Sequence, residues 1–343
     1  MSEVLGVIFT ICFLITSMIV KINNKKIQIN PIVLNLLAGS LNLVIGAIYV
    51  YIEYKNNPDK FIIKSNPLNF SNNPFENIYN NKLAWSIGLT GTIMFLLGVY
   101  CLQNIPISLL IPIQSSWLVF GLIFNHLILK NTITRDNIIS VILVITGIIT
   151  CSWHHFTGDS KKGELTNNKN TNNKNTTNNN LIFFVGLAII FSILKALQVT
   201  QIKKISEYVT PEQVFLMDYG TIFPIALIFF LIYIFAPLKK WQPELPSQDT
   251  IIKWFFYVAI IGVISIVFRM NAIKMIPEIL YNNLSSTSII LSIIAGKLFF
   301  NEPITLIQII GAIIIIVGIL YSRLIEWVDN NHRYNTMIDH FAI

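Results

Sequence analysis

The sequence predicts an all-α integral membrane protein of ten transmembrane helices, arranged as two inverted five-helix repeats. Three observations carry that expectation: a composition too apolar for a water-soluble surface, apolar runs of bilayer length, and self-similarity at one fixed offset. Of the 343 residues, 54% are hydrophobic and 12% charged, and the mean hydropathy is +0.64. A soluble chain carries about 25% charged residues, so this one cannot cover a globular surface with polar groups. A hydrocarbon core roughly 30 Å thick takes about 20 apolar residues per helix. Lipid offers no partner to open backbone groups, so runs of that length must be helical.

The runs are, in order, 4–21, 32–54, 83–103, 106–129, 137–153, 181–202, 213–236, 251–273, 277–300 and 304–325. The first opens Met1-Ser2-Glu3 without a basic leader and lacks a small-residue exit, so it reads as a retained helix rather than a cleaved signal. Trp85, Trp153, Trp254 and Trp327 fall near expected helix ends and Trp241 in a loop, where an indole's polar edge meets the headgroups. Trp117 is the exception, inside the fourth run. Residues 55–81 form a polar loop, and 156–180 form an Asn-rich stretch with no apolar side chain over Asn167–Asn175. Such a tract has nothing to bury and is expected to be disordered. The expected organisation is therefore a first repeat over 1–155, a linker over 156–180, a second repeat over 181–325 and a polar tail over 326–343.

Shifted by 171 residues, 82–150 lies over 253–321 without a gap, and roughly a quarter of positions match. Lys82 meets Lys253, Gly91 meets Gly262, Ile105-Pro106 meets Ile276-Pro277, Ser115 meets Ser286, and Gly147-Ile148 meets Gly318-Ile319. Matches between Ile residues are cheap in an Ile-rich chain; those at Gly, Pro and Ser are not. Five helices is an odd number, so the second half starts on the opposite side of the bilayer and the halves are inverted. Inverted repeats build the two gates of many secondary transporters around one midplane site.

Several local patterns resemble the EamA-type halves of the drug/metabolite transporter superfamily. In the first half these are Ile105-Pro106-Ile107-Ser108, Gln114-Ser115-Ser116 and Gly147. In the second they are Ile276-Pro277, Ser285-Ser286-Thr287 and Leu298-Phe299-Phe300-Asn301-Glu302-Pro303-Ile304-Thr305, with Asn301 where the family usually has Gly. Residues 181–213, ending Lys203-Lys204-Ile205-Ser206-Glu207-Tyr208-Val209-Thr210-Pro211, are similar to the family's sixth helix and exit loop. The resemblance covers most of the chain and is faintest over 1–81. It implies a ten-helix bundle, cytosolic termini and a central cavity lined by helices 1–4 and 6–9.

Polar side chains within spans usually face protein or a water-filled cavity. Gln114, Trp117, Gly121 and Asn125 share one face of the fourth helix, and Glu278, Asn282, Ser285, Ser292 and Gly296 share one face of the ninth. The offset maps Gln114 onto Ser285, as a cavity at the repeat interface requires, although tight helix packing selects the same residue types. Asn35, Gly39, Asn42 and Gly46 form a further face on the second helix. Lys195, followed by Gln198, and Arg269 are the deep basic groups. They either meet an anionic substrate or pair structurally with Asp218 or Glu278. The expected substrate-binding residues are thus Asn35, Asn42, Gln114, Trp117, Lys195, Gln198, Arg269, Asn282 and Ser285. Asp218 and Glu278 are the candidates for carrying a coupling proton. Lys297 and His126 occupy matching positions near helix ends and are expected to snorkel to the interface.

The function these features predict is secondary-active carriage of a small organic metabolite by alternating access. An anionic or phosphorylated solute such as a nucleotide sugar is the runner-up substrate class within that reading, and a cation (for example magnesium) transporter or channel is the alternative. No phosphate-cradling loop, zinc motif or nucleophile elbow is present, so no enzymatic activity and no cofactor is expected. Cys12, Cys101 and Cys151 lie in or beside spans, which disfavours a disulfide framework, and the Cys151, His154, His155 spacing is no basis for a metal. The net charge of +7 is scattered through loops and suits anionic lipid rather than nucleic acid. The expected partners are a small-molecule substrate and the lipid bilayer, with a homodimer left open. With the N-terminus inside, inner segments carry 11 Lys/Arg against 10 in outer ones, so charge does not orient the chain. It also leaves endomembrane and plasma membrane undistinguished. The sequons at Asn69 and Asn175 fall in loops on opposite sides, which would report orientation in a glycosylating organelle.

Overall fold

The computed structural model describes all residues except 1, 64–67, 69, 131–132, 134, 157–175, 236–245, 277–279, 282–283, 286, 319–320 and 322–343. Glu278, Asn282, Asn69 and Asn175, most of the Asn-rich tract and the C-terminal tail therefore lie outside the described residues. The side chains of His154 and His155 do too.

Among the described residues every regular element is helical. In chain order they are α1 (Ser2–Ile27), α2 (Pro31–Asn56), α3 (Lys82–Asn104), α4a (Ile107–Ser115) and α4b (Trp117–Leu129). The order continues with α5 (Arg135–Phe156), α6 (Thr176–Ser206), α7 (Pro211–Phe235), α8 (Gln248–Met275), α9 (Ser288–Phe300) and α10 (Leu306–Gly318). Seven of these, α1 to α3, the joined α4 and α6 to α8, are long and apolar enough to cross a membrane. The apolar part of α5 and the described parts of α9 and α10 are shorter.

Local sequence sets the ends. Asn30 caps α2 ahead of Pro31, its Oδ1 accepting from Ile32 N at 2.9 Å, and Asn81 caps α3 by accepting from Leu83 N at 2.9 Å. Thr210 and Gln213 form a reciprocal capping box at α7, and Thr305 and Gln308 form another at α10. Some boundaries depart from the hydropathy reading. α1 runs to Ile27, six residues beyond the apolar stretch, because Asn23 returns its amide to the Ile19 carbonyl and the helix ends only at Gln28, φ 52°. α6 starts at Thr176, inside the expected linker, since adding turns to an existing helix costs little. The fourth run is broken at Ser116: Pro112 removes one helical donor, and the chain tightens into i→i+3 bonds from Ser116 N to Ile113 O and from Val119 N to Ser116 O, both 3.1 Å.

Three pairs of helix-end residues related by the offset of 171 share backbone angles. Ile105 and Ile276 end α3 and α8 at φ/ψ −126/159° and −123/154°. Ser116 and Thr287 precede α4b and α9 at −60/−10° and −62/−15°. Lys130 and Asn301 end those helices in the left-handed region, at 57/24° and 53/27°. Packing repeats as well: α1 on α8 matches α6 on α3, α4b on α6 matches α9 on α1, and α2 on α7 and α4a on α9 pair equivalent helices. Each of these contacts joins one half to the other, so neither half closes its own core.

A left-handed Lys carries a steric cost that glycine avoids. Lys130→Gly should therefore stabilise the protein by about 1 kcal/mol and Asn301→Gly by less, because Asn tolerates this region better. Melting of the purified protein checks the order.

Two close contacts fix the ends of the bundle. α5 and α10 meet at Gly147 and Gly311: a Cβ on Gly147 would lie 2.7 Å from the Gly311 carbonyl oxygen, and one on Gly311 2.6 Å from Cys151 N. Small residues that let backbones touch are the usual device for packing helices in lipid. At the α9–α10 link, the Glu302 carboxylate accepts from Ile107 N and Ser108 N, each at 3.0 Å, and lies 3.7 Å from Lys25 Nζ. Lys25 also donates to the Ile105 carbonyl at 2.8 Å. One carboxylate thus satisfies the first turn of α4a and ties it to α1 and α9. At the repeat-related position Lys203 donates to Ile273 O and Ile276 O.

Candidate functional site

A partly open cavity of about 290 Å³ lies between the two halves, lined by α1, α2, α3, α4a, α6, α7, α8 and the segment leading into α9. It runs from the end of the bundle where α1 finishes and α2 begins to the level of Gln198, Asp218 and Arg269. Val50, Phe61, Ile78 and Leu216 form a buried apolar cluster outside the cavity lining, and beside it Lys60 bridges Glu53 (3.3 Å) and Glu212 (2.9 Å). The same end brings α3 and α7 together at Gly88, where a Cβ would fall 2.8 Å from the Thr221 carbonyl carbon.

On the cavity wall three side chains form a hydrogen-bonded chain. Arg269 donates to Gln198 Oε1 at 3.4 Å, and Gln198 Nε2 donates to Asp218 Oδ1 at 3.2 Å. Gln198 and Asp218 are 1% and 2% exposed. Arg269 therefore meets Asp218 through an amide rather than directly; the guanidinium has five donors, more than Gln198 uses. Lys195, one turn before Gln198, lies 4.3 Å from the Trp117 ring centroid, a cation–π contact. Lys195 also feels the like charges of Lys21 and Arg269. Among the described lining residues, three cationic side chains face one carboxylate, Asp218.

Of the expected substrate-binding residues, Asn35, Asn42, Gln114, Lys195, Gln198, Arg269 and Ser285 all line this cavity, as does Asp218. Trp117 does not; it is buried behind Lys195, packed against Tyr281. The rest of the fourth-helix face and the later part of the ninth-helix face turn to packing: Gly121 and Asn125 are buried and do not line the cavity, Ser292 Oγ donates to Ile289 O, and Gly296 lies under Glu302. On each of these two faces the early part lines the cavity and the later part packs. His126 and Lys297 are exposed.

The sequence reading missed Lys21, Asn24 and Trp254, which also line the cavity. Lys21 sat at the expected helix end, but α1 continues, and Ser17, Lys21 and Asn24 recur at 4 and 3 residues on one face. Trp254 read as a headgroup anchor. That is corrected: α8 begins at Gln248, so Trp254 is inside the helix, 3% exposed, just before the π-type stretch Phe255–Ala259 that turns Val258 and Ala259 toward the cavity.

Residues 182–324 match the family model of the EamA-like transporter family. The match spans 143 of the 343 residues. The family is part of the drug/metabolite transporter superfamily, and the match together with the seven long apolar helices supports a multi-pass membrane protein. It is a non-enzymatic family. No curated protein matches the chain. Among solved structures, one described only as "Crystal structure of protein" superposes with a TM-score of 0.60 over 94% of this chain and 96% of its own, at 13% identity, which speaks to the fold. The matched segment contributes Lys195, Gln198, Asp218, Arg269 and Ser285 to the cavity; residues before it contribute Lys21, Asn35, Asn42 and Gln114.

Proposed function

We propose that the protein is a secondary-active carrier of a small organic anion, working by alternating access between two inverted five-helix repeats that together supply ten spans. The observation that carries this reading is the cavity itself. It is lined by helices from both sides of the Asn-rich tract and carries a cationic excess among its described lining residues; in this reading the buried apolar cluster around Val50 and Leu216 closes its far end. The backbone repeat at offset 171 supports a common ancestry for the halves, and the pairing of each helix with the other half supports rocking about that interface. Lys195 and Arg269 attract the anion, and Gln198 and Gln114 orient it. A substrate anion that takes Arg269 frees Asp218 from its neighbouring positive charge, which gives Asp218 a reason to bind a proton as the substrate binds.

A cation path would be lined mainly by carboxylates and carbonyls, and this lining is the reverse. The reading is tested by uptake into proteoliposomes of phosphorylated, carboxylate, neutral and cationic solutes with and without a pH gradient. Anions should enter and compete with one another. Asp218→Asn should leave exchange intact while abolishing the response to the gradient; entry of divalent cations alone would overturn the reading.

A further inference from the structure

Four buried side-chain polar atoms on the wall of this cavity have no hydrogen-bond partner among the described residues. They are Oδ1 of Asn24 and Asn42, Nδ2 of Asn35 and Nε1 of Trp254. Asn35 and Trp254 are 2% and 3% exposed, and Asn24 and Asn42 each 7%. A buried polar group without a partner is disfavoured strongly enough that such groups are scarce in folded proteins. Their concentration on one cavity points to a ligand that completes them.

These groups are not spread evenly. Asn24, Asn35 and Trp254 sit at the end where α1 finishes and α2 begins. Trp254 packs in one apolar cluster with Val33 and Leu34, which brings α8 against the turn of α2 that carries Asn35. Asn35 and Trp254 offer donors there and Asn24 an acceptor. None carries a charge, so the set matches neutral groups that both donate and accept, the chemistry of hydroxyls on a ring. An indole also supplies a flat apolar face to such a ring. Lys21 is one turn before Asn24 on the same face of α1 and feels the charge of Lys195 across the cavity. An anion between these two ammonium groups would relieve their repulsion.

We propose that Lys21, Asn24, Asn35 and Trp254 form a substrate subsite for a hydroxylated ring that bears an anionic group, with the ring against Asn24, Asn35 and Trp254 and the anion between Lys21 and Lys195. The inference rests on the carrier reading of the same cavity and narrows its substrate to pentose- or hexose-sized monophosphates. These suit a cavity of about 290 Å³, at the small end of ligand sites.

The test is calorimetric binding of a panel of pentose and hexose monophosphates, the parent sugars and inorganic phosphate to the purified protein, paired with uptake of the same probes. A sugar phosphate should bind at least about tenfold more tightly than either its parent sugar or inorganic phosphate. Trp254→Phe, which keeps the aromatic body and deletes the donor, and Asn35→Leu should each weaken sugar-phosphate binding about three- to tenfold while leaving inorganic phosphate unchanged. Lys21→Met should weaken both. The wild-type comparison needs no variant to fold. Binding of every sugar phosphate no tighter than inorganic phosphate, or indifference of the two variants, overturns the subsite. If the sugar phosphates bind as expected but are not taken up, the subsite stands and the carrier reading falls. If sugar phosphates are taken up equally by wild type, Trp254→Phe and Asn35→Leu, the subsite falls and the carrier reading stands.

Discussion

Arg269→Leu abolishes uptake of the transported anion without unfolding the protein. Arg269 is the innermost cation of the cavity, hydrogen-bonded through Gln198 to Asp218. Its removal costs the substrate a charge-assisted contact and leaves Asp218, 2% exposed, without the nearby positive charge that offsets it. Truncating one partner of a buried, hydrogen-bonded charge set typically costs about 2–5 kcal/mol, which is a loss of about 30-fold to several thousand-fold in binding. Arg269→Lys should recover only part of this, because an ammonium keeps the charge but not the planar fork of donors. Initial uptake rates against substrate concentration, in proteoliposomes with matched protein content, separate the outcomes. Unchanged affinity in Arg269→Leu would mean that the guanidinium serves only to hold α6, α7 and α8 together.

Glu302→Ala has the largest effect on stability. A single carboxylate satisfies Ile107 N and Ser108 N and faces Lys25, and the two side chains of the pair are 16% (Lys25) and 13% (Glu302) exposed. Alanine orphans two helix N-terminal donors and removes the counter-charge of a mostly buried ammonium, which keeps only the Ile105 carbonyl and the Phe300 ring. A loss of about 3 kcal/mol follows, at the lower end of what breaking a buried pair costs. Glu302→Gln should lose about half as much, since one amide oxygen can still cap α4a while the charge facing Lys25 is gone. Lys25→Met should be milder still, because Glu302 retains both backbone donors. Thermal melts in detergent give this order, and an equal loss in all three variants would contradict the capping role.

Much of this was legible in the sequence because the bilayer enforces simple rules. Apolar runs located the helices, and the offset of 171 that aligns Ile105-Pro106 with Ile276-Pro277 also aligns their backbone angles to within a few degrees. Gln114 and Ser285, equivalent under that offset, both line the cavity. What hydropathy could not see was where helices continue past their apolar stretch. Lys21 and Asn24 looked like a helix end and Trp254 like a headgroup anchor, yet each is a turn or more inside its helix. Trp117 failed in the opposite sense. It shares a helical face with Gln114, but the break at Ser116, set by i→i+3 bonds, turns it behind Lys195. A period of 3.6 residues holds only along an unbroken helix, so a face counted across Ser116 mixes two directions.

Side-specific labelling at Ser285 tests the central claim most directly. Ser285 is buried and lines the cavity from the segment that matches the EamA-like family. Ser285→Cys, in a background with Cys12, Cys101 and Cys151 replaced by serine or alanine, is exposed to a membrane-impermeant thiol reagent applied to one face of oriented proteoliposomes at a time. The predicted result is reaction from one face at rest, with substrate shifting reactivity toward the other. Simultaneous reaction from both faces would indicate a channel, and no reaction from either would indicate a dry interface; each contradicts a carrier built from two rocking repeats.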